Sequence, residues 1–411
     1  MRRVLVAGAG PVGLAAALTL ARGGVPVTVL EAGDGLAAES RASTFHPPTL
    51  EMLASLGVLD ELMARGLVAR TFQYRDRRGG PIATLDLAVL AGDTPYPFRV
   101  QCEQSKLTPI LREHVERLGG EVLFRQEVAR VDAEGDGVRV TTGRGGSFAG
   151  DWLIGADGAH SAVRRSLGIP FEGLTYPERF LVASVREDLE AMLPGLAPIN
   201  YVFDPDEWLV LLRTPDHWRV LLPTPDGSAD ERELARLPGR LRAVADPGRD
   251  WDVAHASLYR VHQRVAARFM DGRVLLAGDA AHVNNPLGGL GMNSGIHDAV
   301  LMASSLVNGA ATDNRPAIGA PDGAVSDALV DAAGGGAGGD AALGAVAGLG
   351  VGAVAGRRRE VALGHVQAIS HGNWARMRSP GRHDELRALA ADPAAARAYL
   401  LRACLISSLR P

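Results

Sequence analysis

The sequence predicts an α/β protein with a Rossmann-like dinucleotide-binding domain, an inserted and mostly antiparallel β-sheet domain, and a C-terminal helical segment. Residues 3–32 follow the order strand, glycine-rich turn, helix and strand. Residues 175–265 contain short apolar runs separated by Pro and Asp turns, and residues 357–411 have helical spacing. A chain of 411 residues with 46% hydrophobic and 22% charged residues is long enough for two or three folded units.

The N-terminal element is a βαβ unit. RVLVA (3–7) predicts a buried strand, LAAALTLARGG a helix that ends at Gly23–Gly24, and VPVTVLEA (25–32) a second strand. Parallel strands follow from this βαβ unit, because a helix forms the crossover between them. Two N-terminal arginines before an apolar run also resemble a signal peptide, but Gly and Pro residues interrupt that run.

The turn between strand and helix, GAGPVG, fits the pattern G-x-G-x-x-G. The first glycine permits the tight turn, the second lets a pyrophosphate approach the backbone, and the third lets the helix pack against the sheet. Glu31 ends the second strand, where a carboxylate can bind ribose hydroxyls. The fingerprint consists of Gly8, Gly10, Pro11, Val12 and Gly13.

Two further motifs place an aspartate at the end of a predicted strand. DWLIGADGAHSAVRRS carries Asp157–Gly158, and GRVLLAGDAAHVNNPLGGLGMNSGIHDA carries Gly278–Asp279. Ligands of α/β sheets bind at the carboxyl ends of the strands, so both aspartates face the predicted ligand. Motifs so far apart in sequence favour a long, extended cofactor such as a flavin dinucleotide over the cofactor of an NAD-dependent dehydrogenase.

These three motifs, in this order, resemble the FAD-dependent aromatic hydroxylases, the single-component flavoprotein monooxygenases of the para-hydroxybenzoate hydroxylase fold. The resemblance covers residues 1–303 and returns at 357–411. It implies that Glu31 binds the adenosine ribose, Asp279 the ribityl hydroxyls, and Asp157 both FAD and NAD(P)H. The further cofactor-binding residues that it implies are Arg41, Gln104, Gly278, Pro286, Gly289, Gly291, Met292 and Asn293.

The resemblance also implies a reaction. Tightly bound FAD would be reduced by NADPH or NADH as a transient co-substrate, and O₂ would form a flavin C4a-hydroperoxide that hydroxylates a phenolic or polycyclic aromatic substrate, polyketide-like compounds included. Epoxidation, Baeyer–Villiger or oxidase chemistry, or an inactive flavin-binding protein, are the alternatives. No side chain stands out as catalytic, and the candidates for a base near the ring are His46, Tyr201, His217 and His255.

The Gly/Ala-rich tract at 309–356 departs from the family pattern. More than half of its residues are Gly or Ala, and it contains no aromatic residue that could build a core. A genuine insertion and a pair of compensating frameshifts both explain it. The predicted domains are a discontinuous FAD-binding domain (1–71, 101–174, 266–308), a substrate-binding domain (72–100, 175–265), this segment, and a helical region (357–411).

Charge and composition exclude several partners. The net charge is −4 without a basic block, which argues against nucleic acid, and no apolar run is long enough to span a membrane. Cys102 and Cys404 lack metal-binding spacing, so no metal site is predicted. We expect a cytoplasmic enzyme, monomeric or homodimeric, that binds a small aromatic molecule and O₂.

Overall fold

The computed structural model describes residues 3–38, 42–313, 349–379, 381 and 383–410. The strands are β1 Val4–Ala7, β2 Val27–Leu30, β3 Thr44–Phe45, β4 Leu67–Ala69, β5 Thr71–Asp76, β6 Gly80–Asp86, β7 Arg99–Gln101, β8 Glu121–Leu123, β9 Val128–Glu134, β10 Gly137–Thr142, β11 Ser147–Gly150, β12 Trp152–Gly155, β13 Phe171–Val185, β14 Ile199–Phe203, β15 Leu209–Arg213, β16 Trp218–Pro225, β17 Val253–Ala266, β18 Met270–Asp271, β19 Val274–Leu276 and β20 His282–Val283.

Helices connect and cover these strands. They are α1 Pro11–Arg22, α2 Pro47–Ser55, α3 Leu59–Met63, α4 Gln104–Arg117, α5 Ala162–Ser166, α6 Leu189–Met192, α7 Asp230–Val244, α8 Gly291–Asp313, α9 Val351–Val361, α10 Ala368–Met377, α11 His383–Ala391 and α12 Pro393–Ala403. A π-helical turn, Ala362–Gln367, joins α9 to α10, and Leu87–Leu90 and Gly278–Ala280 form short 3₁₀ turns.

The predicted βαβ unit forms the centre of a six-stranded sheet with the order β18-β19-β12-β1-β2-β8. Strand β1 pairs in parallel with both β2 and β12, and β12 pairs in parallel with β19. All four residues of β1 are buried, as expected for a central strand covered on both faces. The glycine turn and both aspartate motifs therefore follow neighbouring strands and meet at one edge of the sheet.

An eight-stranded sheet forms the second layer, with the order β20-β17-β13-β16-β15-β14-β5-β6. Its pairs are antiparallel except for β14 with β5, which agrees with the predicted mostly antiparallel sheet. One face carries an aromatic cluster that includes Phe72, Tyr74 and Tyr201.

Helix α7 covers the opposite face of this sheet, and it was not predicted from the sequence. Its Leu237 and Leu241 are buried in the same cluster as Trp218 and Trp251. The apolar residues recur at helical spacing, but Pro238 lies inside the helix and makes the segment resemble a loop.

The ends of the Gly/Ala-rich tract are helical, because α8 continues to Asp313 and α9 begins at Val351. Residues 314–348 lie outside the described residues. The predicted C-terminal helical region is confirmed by α9 to α12, while the division into domains stays a prediction. No helix of the described ranges has the length and apolar character needed to cross a bilayer.

Candidate functional site

The glycine turn leaves open space above the first turn of α1. A Cβ at Gly8 (φ +98°) would lie 2.4 Å from the Ala156 carbonyl oxygen, and one at Gly13 would lie 2.0 Å from the Gly8 carbonyl oxygen. Gly10, by contrast, has φ −73° and ψ 178°, and a Cβ added there would have no atom within 4 Å. The outer glycines are therefore required by packing, whereas the middle one borders a cradle at the positive end of the helix.

Glu31 closes one side of this cradle. Its carboxylate accepts hydrogen bonds from the Ala9 N–H at 2.6 Å and the Gly33 N–H at 2.9 Å. These bonds fix the carboxylate against the glycine turn at the carboxyl end of β2. The side chain is therefore held where a ribose attached to a phosphate in the cradle would lie.

Asp157 follows β12 and is engaged within the protein. It accepts hydrogen bonds from Ser161 Oγ at 2.5 Å and from the Val163 N–H at 3.0 Å, and so caps α5. Arg164 of α5 is buried and donates to the Ala280 carbonyl at 2.7 Å. Asp157 thus helps to fix a helix that in turn holds the neighbouring aspartate turn.

That second turn, Gly278–Ala280, follows β19 at the same sheet edge. Gly278 has φ +59°, and its N–H donates to Asp298 Oδ2 at 3.2 Å. Asp279 is exposed beside the cradle. A carboxylate at this position can accept hydrogen bonds from the hydroxyls of a ligand that extends away from α1.

The loop before α8 is held by Asn293, which is fully buried. Its Oδ1 accepts from the His46 N–H at 2.8 Å and Thr49 Oγ at 2.6 Å. Its Nδ2 donates to the Thr44 carbonyl at 2.8 Å and the Gly289 carbonyl at 2.6 Å. Asn293 therefore fastens the glycine-rich loop to the segment that precedes α2, and its first role is to shape the loop.

Two of the four candidates for a catalytic base meet at this loop. His46 Nε2 donates to the Gly288 carbonyl at 2.9 Å in its neutral form. Burial, together with the charge of Arg99, holds the pKa of His46 well below its usual value. Burial raises the pKa of Tyr201 to about 12, while Arg99 and the Gly288 backbone act in the opposite direction. The charge of Arg99 thus acts to lower the pKa of both side chains.

Arg99 was not among the predicted residues. It is 3% exposed, its guanidinium carbon lies 4.8 Å from the centre of the Phe72 ring, and its Nη2 contacts Cys404 Sγ at 3.5 Å. No carboxylate among the residues that the structure describes forms an ion pair with it, and its Nε has no partner there. A buried cation normally has an anionic partner, so this site is suited to an anionic ligand.

Further buried donors without a protein partner lie around the same loop. They are Gln101 Nε2, Asn285 Nδ2 and Arg99 Nε, whereas His46 Nδ1 is an acceptor without a partner. Buried polar atoms are normally hydrogen-bonded. Together with the open cradle at Gly10, these atoms fit a long polar ligand that runs from α1 to the glycine-rich loop.

Five predicted cofactor-binding residues remain, and three of them belong to the loop or to the start of α8. Gln104 opens α4, and its N–H donates to the Ala42 carbonyl at 3.1 Å. Pro286, Gly291 and Met292 belong to the loop itself and the start of α8. Arg41 lies outside the described residues.

His217 and His255 do not join His46 and Tyr201. His217 groups with Glu103 and Asp216 near the tip of the β15–β16 hairpin, where Lys106 Nζ lies 2.6 Å from Asp216 and 3.2 Å from Glu103. His255 is exposed on β17. Neither side chain takes part in the cluster around Arg99.

An open phosphate cradle, a carboxylate at the ribose position and an acidic turn further along the same sheet edge define a dinucleotide-binding flavoprotein. Residues 1–315 match the family model described as the FAD binding domain. The chain belongs to this family and, within it, to the FAD-dependent aromatic hydroxylases, for which NAD(P)H is the usual electron donor.

The relatives agree on this class. The chain is 37% identical to para-nitrophenol 4-monooxygenase of Pseudomonas sp. (strain WBC-3) over 75% of this chain and 79% of that protein. It is 36% identical to 6-hydroxy-3-succinoylpyridine 3-monooxygenase of Pseudomonas putida (strain DSM 28022 / S16), over 74% and 79%. The crystal structure of p-nitrophenol 4-monooxygenase from Pseudomonas putida DLL-E4 superposes with a TM-score of 0.84 at 30% identity, covering 100% of this chain and 99% of that one.

Proposed function

We propose that this enzyme hydroxylates a small phenol that binds as its phenolate, with the phenolate oxygen at Arg99. The carrying observation is the buried guanidinium that lacks a carboxylate partner within the described chain. An arginine stays charged at any physiological pH, so a bound anion would compensate the buried positive charge. The aromatic side chains of Phe72 and Tyr201 would supply the apolar walls that a small ring requires.

The neighbours of Arg99 favour a phenol that is already ionised in solution. Tyr201, with a pKa of about 12, stays protonated at neutral pH, so its hydroxyl can donate to a phenolate but cannot remove a proton from a phenol. His46 has a pKa well below its usual value and is correspondingly a weak base. Acidic phenols, such as those with electron-withdrawing substituents, therefore suit the site best.

When bound, FAD would supply reduction by NAD(P)H and transfer of one oxygen atom from O₂ to the ring. Gly10 and the N-terminus of α1 would hold the pyrophosphate, Glu31 and Asp279 the sugar and ribityl hydroxyls. Arg99 and Tyr201 would orient the ring and keep its oxygen ionised, which leaves the ring electron-rich. The names of the two relatives described above, a nitrophenol and a hydroxypyridine monooxygenase, support an acidic hydroxyarene.

The test is a series of phenols of decreasing acidity, assayed by substrate-stimulated oxidation of NADPH and of NADH and by the mass of the product. We expect stimulation and a gain of one oxygen atom for acidic phenols, and weak stimulation for phenols that are neutral at the assay pH. Equal activity across the series would contradict binding as the phenolate. A lack of product with every phenol would contradict the function itself.

Arg99→Met tests the carrying residue. Loss of a hydrogen bond to a charged group costs about 1.5–3 kcal/mol, so we expect KM for the phenol to rise roughly 10- to 150-fold while FAD stays bound. Arg70→Met is the matched control, because Arg70 is exposed and contacts the Phe98 ring rather than the cluster. An unchanged KM in Arg99→Met would remove the basis for the anion site.

We also propose that the enzyme works in the cytoplasm as a monomer or homodimer. Two buried, unpaired thiols, Cys102 and Cys404, suit a reducing compartment. Light scattering on the FAD-loaded protein would give the mass of the particle, and a trimer or larger assembly would contradict the proposed state.

A further inference from the structure

A buried ion pair connects α9, which begins in the last residues of the Gly/Ala-rich tract, to the cofactor side of the molecule. Arg358 of α9 is 2% exposed, and its Nε donates to Asp298 Oδ1 of α8 at 2.7 Å. Its Nη2 donates to Ser294 Oγ at 3.0 Å, in the first turn of α8. Arg358 thus holds α8 at two points, and the second directly follows Asn293.

The other oxygen of Asp298 continues this connection. Asp298 Oδ2 accepts from the Gly278 N–H at 3.2 Å and from His282 Nε2 at 2.9 Å. Burial raises the pKa of Asp298, but Arg358 and His282 lower it by more, so the carboxylate is ionised. In this form both oxygens are acceptors, and the charge strengthens the hydrogen bonds that they accept. Arg358 supplies the compensating cation inside a site that excludes water.

We infer that Arg358 is a positioning residue for FAD, so that docking of α9 and binding of FAD are coupled. The inference rests on the proposed cofactor roles of Gly278, Asp279 and the start of α8. Without Arg358, the buried Asp298 carboxylate keeps the donors of Gly278 and His282 but loses its arginine partner, which favours protonation or movement of its side chain. Either change weakens the bond to the Gly278 N–H and releases the turn that presents Asp279.

Coupling of this kind is reciprocal: if α9 improves FAD binding, FAD must stabilise the docking of α9. Two neighbouring arginines make contacts of a different kind. Arg357 donates to the Arg410 carbonyl at 3.0 Å, and Arg359 donates to the Ala266 carbonyl at 3.1 Å. Arg357→Met is therefore a control on the same helix that leaves Asp298 untouched.

The experiment titrates full-length apoprotein with FAD and follows the quenching of flavin fluorescence. We expect Kd for FAD to rise on the order of 100-fold in Arg358→Met, and less in Arg358→Lys, which keeps the charge but cannot bind Asp298 and Ser294 as a planar fork. Arg357→Met should bind FAD like the wild type. Circular dichroism at the titration temperature shows whether each variant is folded. If Arg358→Met does not fold, the Kd of Arg358→Lys tests the coupling.

Hydrogen exchange supplies a readout that a purely structural role would not change. FAD should slow amide exchange in residues 351–361 of the wild type, and this effect should shrink in Arg358→Lys. The coupling would be overturned if a folded Arg358 variant bound FAD with the wild-type Kd. It would also be overturned if FAD did not change the amide exchange rates of α9 in the wild type. Because neither measurement uses a phenol, failure here is distinguishable from failure of the proposed hydroxylation.

Discussion

Gly10→Ala separates a glycine required by the cofactor from glycines required by the fold. Gly10 has φ −73° and ψ 178°, a conformation that alanine adopts without strain. No atom lies within 4 Å of the added methyl group. The apoprotein should therefore fold nearly as well as the wild type, because a gain of about 0.4–1 kcal/mol from the reduced freedom of the unfolded chain opposes a similar preference for glycine at the N-cap of α1.

The same methyl group would occupy space that a pyrophosphate needs. Displacement of the phosphates from the α1 N-terminus would weaken one or two charge-assisted hydrogen bonds, each worth about 1.5–3 kcal/mol. We therefore expect Kd for FAD to rise roughly 10- to 150-fold for each bond lost. Gly13→Ala differs, because its Cβ would lie 2.0 Å from the Gly8 carbonyl oxygen. That variant should lose about 1–3 kcal/mol of stability even without FAD.

The assay combines the free energy of unfolding of each apoprotein, from denaturant titration, with Kd for FAD, from fluorescence quenching. Gly10→Ala should change Kd with little effect on the stability of the apoprotein, whereas Gly13→Ala should lower that stability clearly. If Gly10→Ala bound FAD as tightly as the wild type, the cradle would not hold the pyrophosphate. If it destabilised the apoprotein as much as Gly13→Ala, the distinction between the two glycines would be wrong.

Two further substitutions test the loop and the buried histidines. Gly289→Val places a β-branched residue at φ +67° with its Cβ 3.1 Å from Thr44 Cβ. We therefore expect weaker FAD binding, or NAD(P)H oxidation without formation of product. If FAD binding and the yield of product per NAD(P)H were both unchanged, a role of Gly289 beside the flavin would be refuted. Burial and then Arg358 lower the pKa of His297 from 6.5 to about 3. Between these values the unfolded chain binds a proton that the native protein excludes, so stability should fall with decreasing pH by about 1.4 kcal/mol per unit. His297→Gln should reduce that slope in urea titrations of the apoprotein, and an unaltered slope would contradict this account.

The sequence was sufficient for the elements whose chemistry is local. The glycine turn, Glu31 and the turn at Asp279 each follow a strand within a few residues, and parallel topology then brings them to one edge. Asp157 shows the limit of this reasoning. Its position was predicted, but its bonds to Ser161 and Val163 depend on the local turn geometry.

Arg99 could not be predicted in the same way, because its proposed role depends on the lack of a carboxylate near its guanidinium among the described residues. It lies on a three-residue strand, while His46, Tyr201 and Cys404 approach from distant parts of the chain. Periodicity indicates which face of a strand is buried, but it does not reveal that a buried arginine has no carboxylate partner among the residues that the structure describes. An arginine within the apolar run PFRVQC was the one available signal.

The three consecutive arginines at 357–359 illustrate a second limit. The return of the family pattern at RRREV was evident from the sequence, but helical geometry sends each arginine in a different direction. The packing of α9 against α8 identifies Arg358 as the arginine whose side chain is buried in the core.

The strand order of the central sheet also has a consequence for biosynthesis. The phosphate turn and Glu31 are made long before the strands that complete the sheet, because β1 pairs with β12, and β12 with β19, which ends at Leu276. Arg358 follows later still. At about 5–20 residues per second, roughly 15 to 65 s separate translation of Glu31 from that of Arg358. During this interval a growing chain presents an unpaired strand edge to chaperones, and stable incorporation of flavin becomes a late event that waits for translation of Arg358.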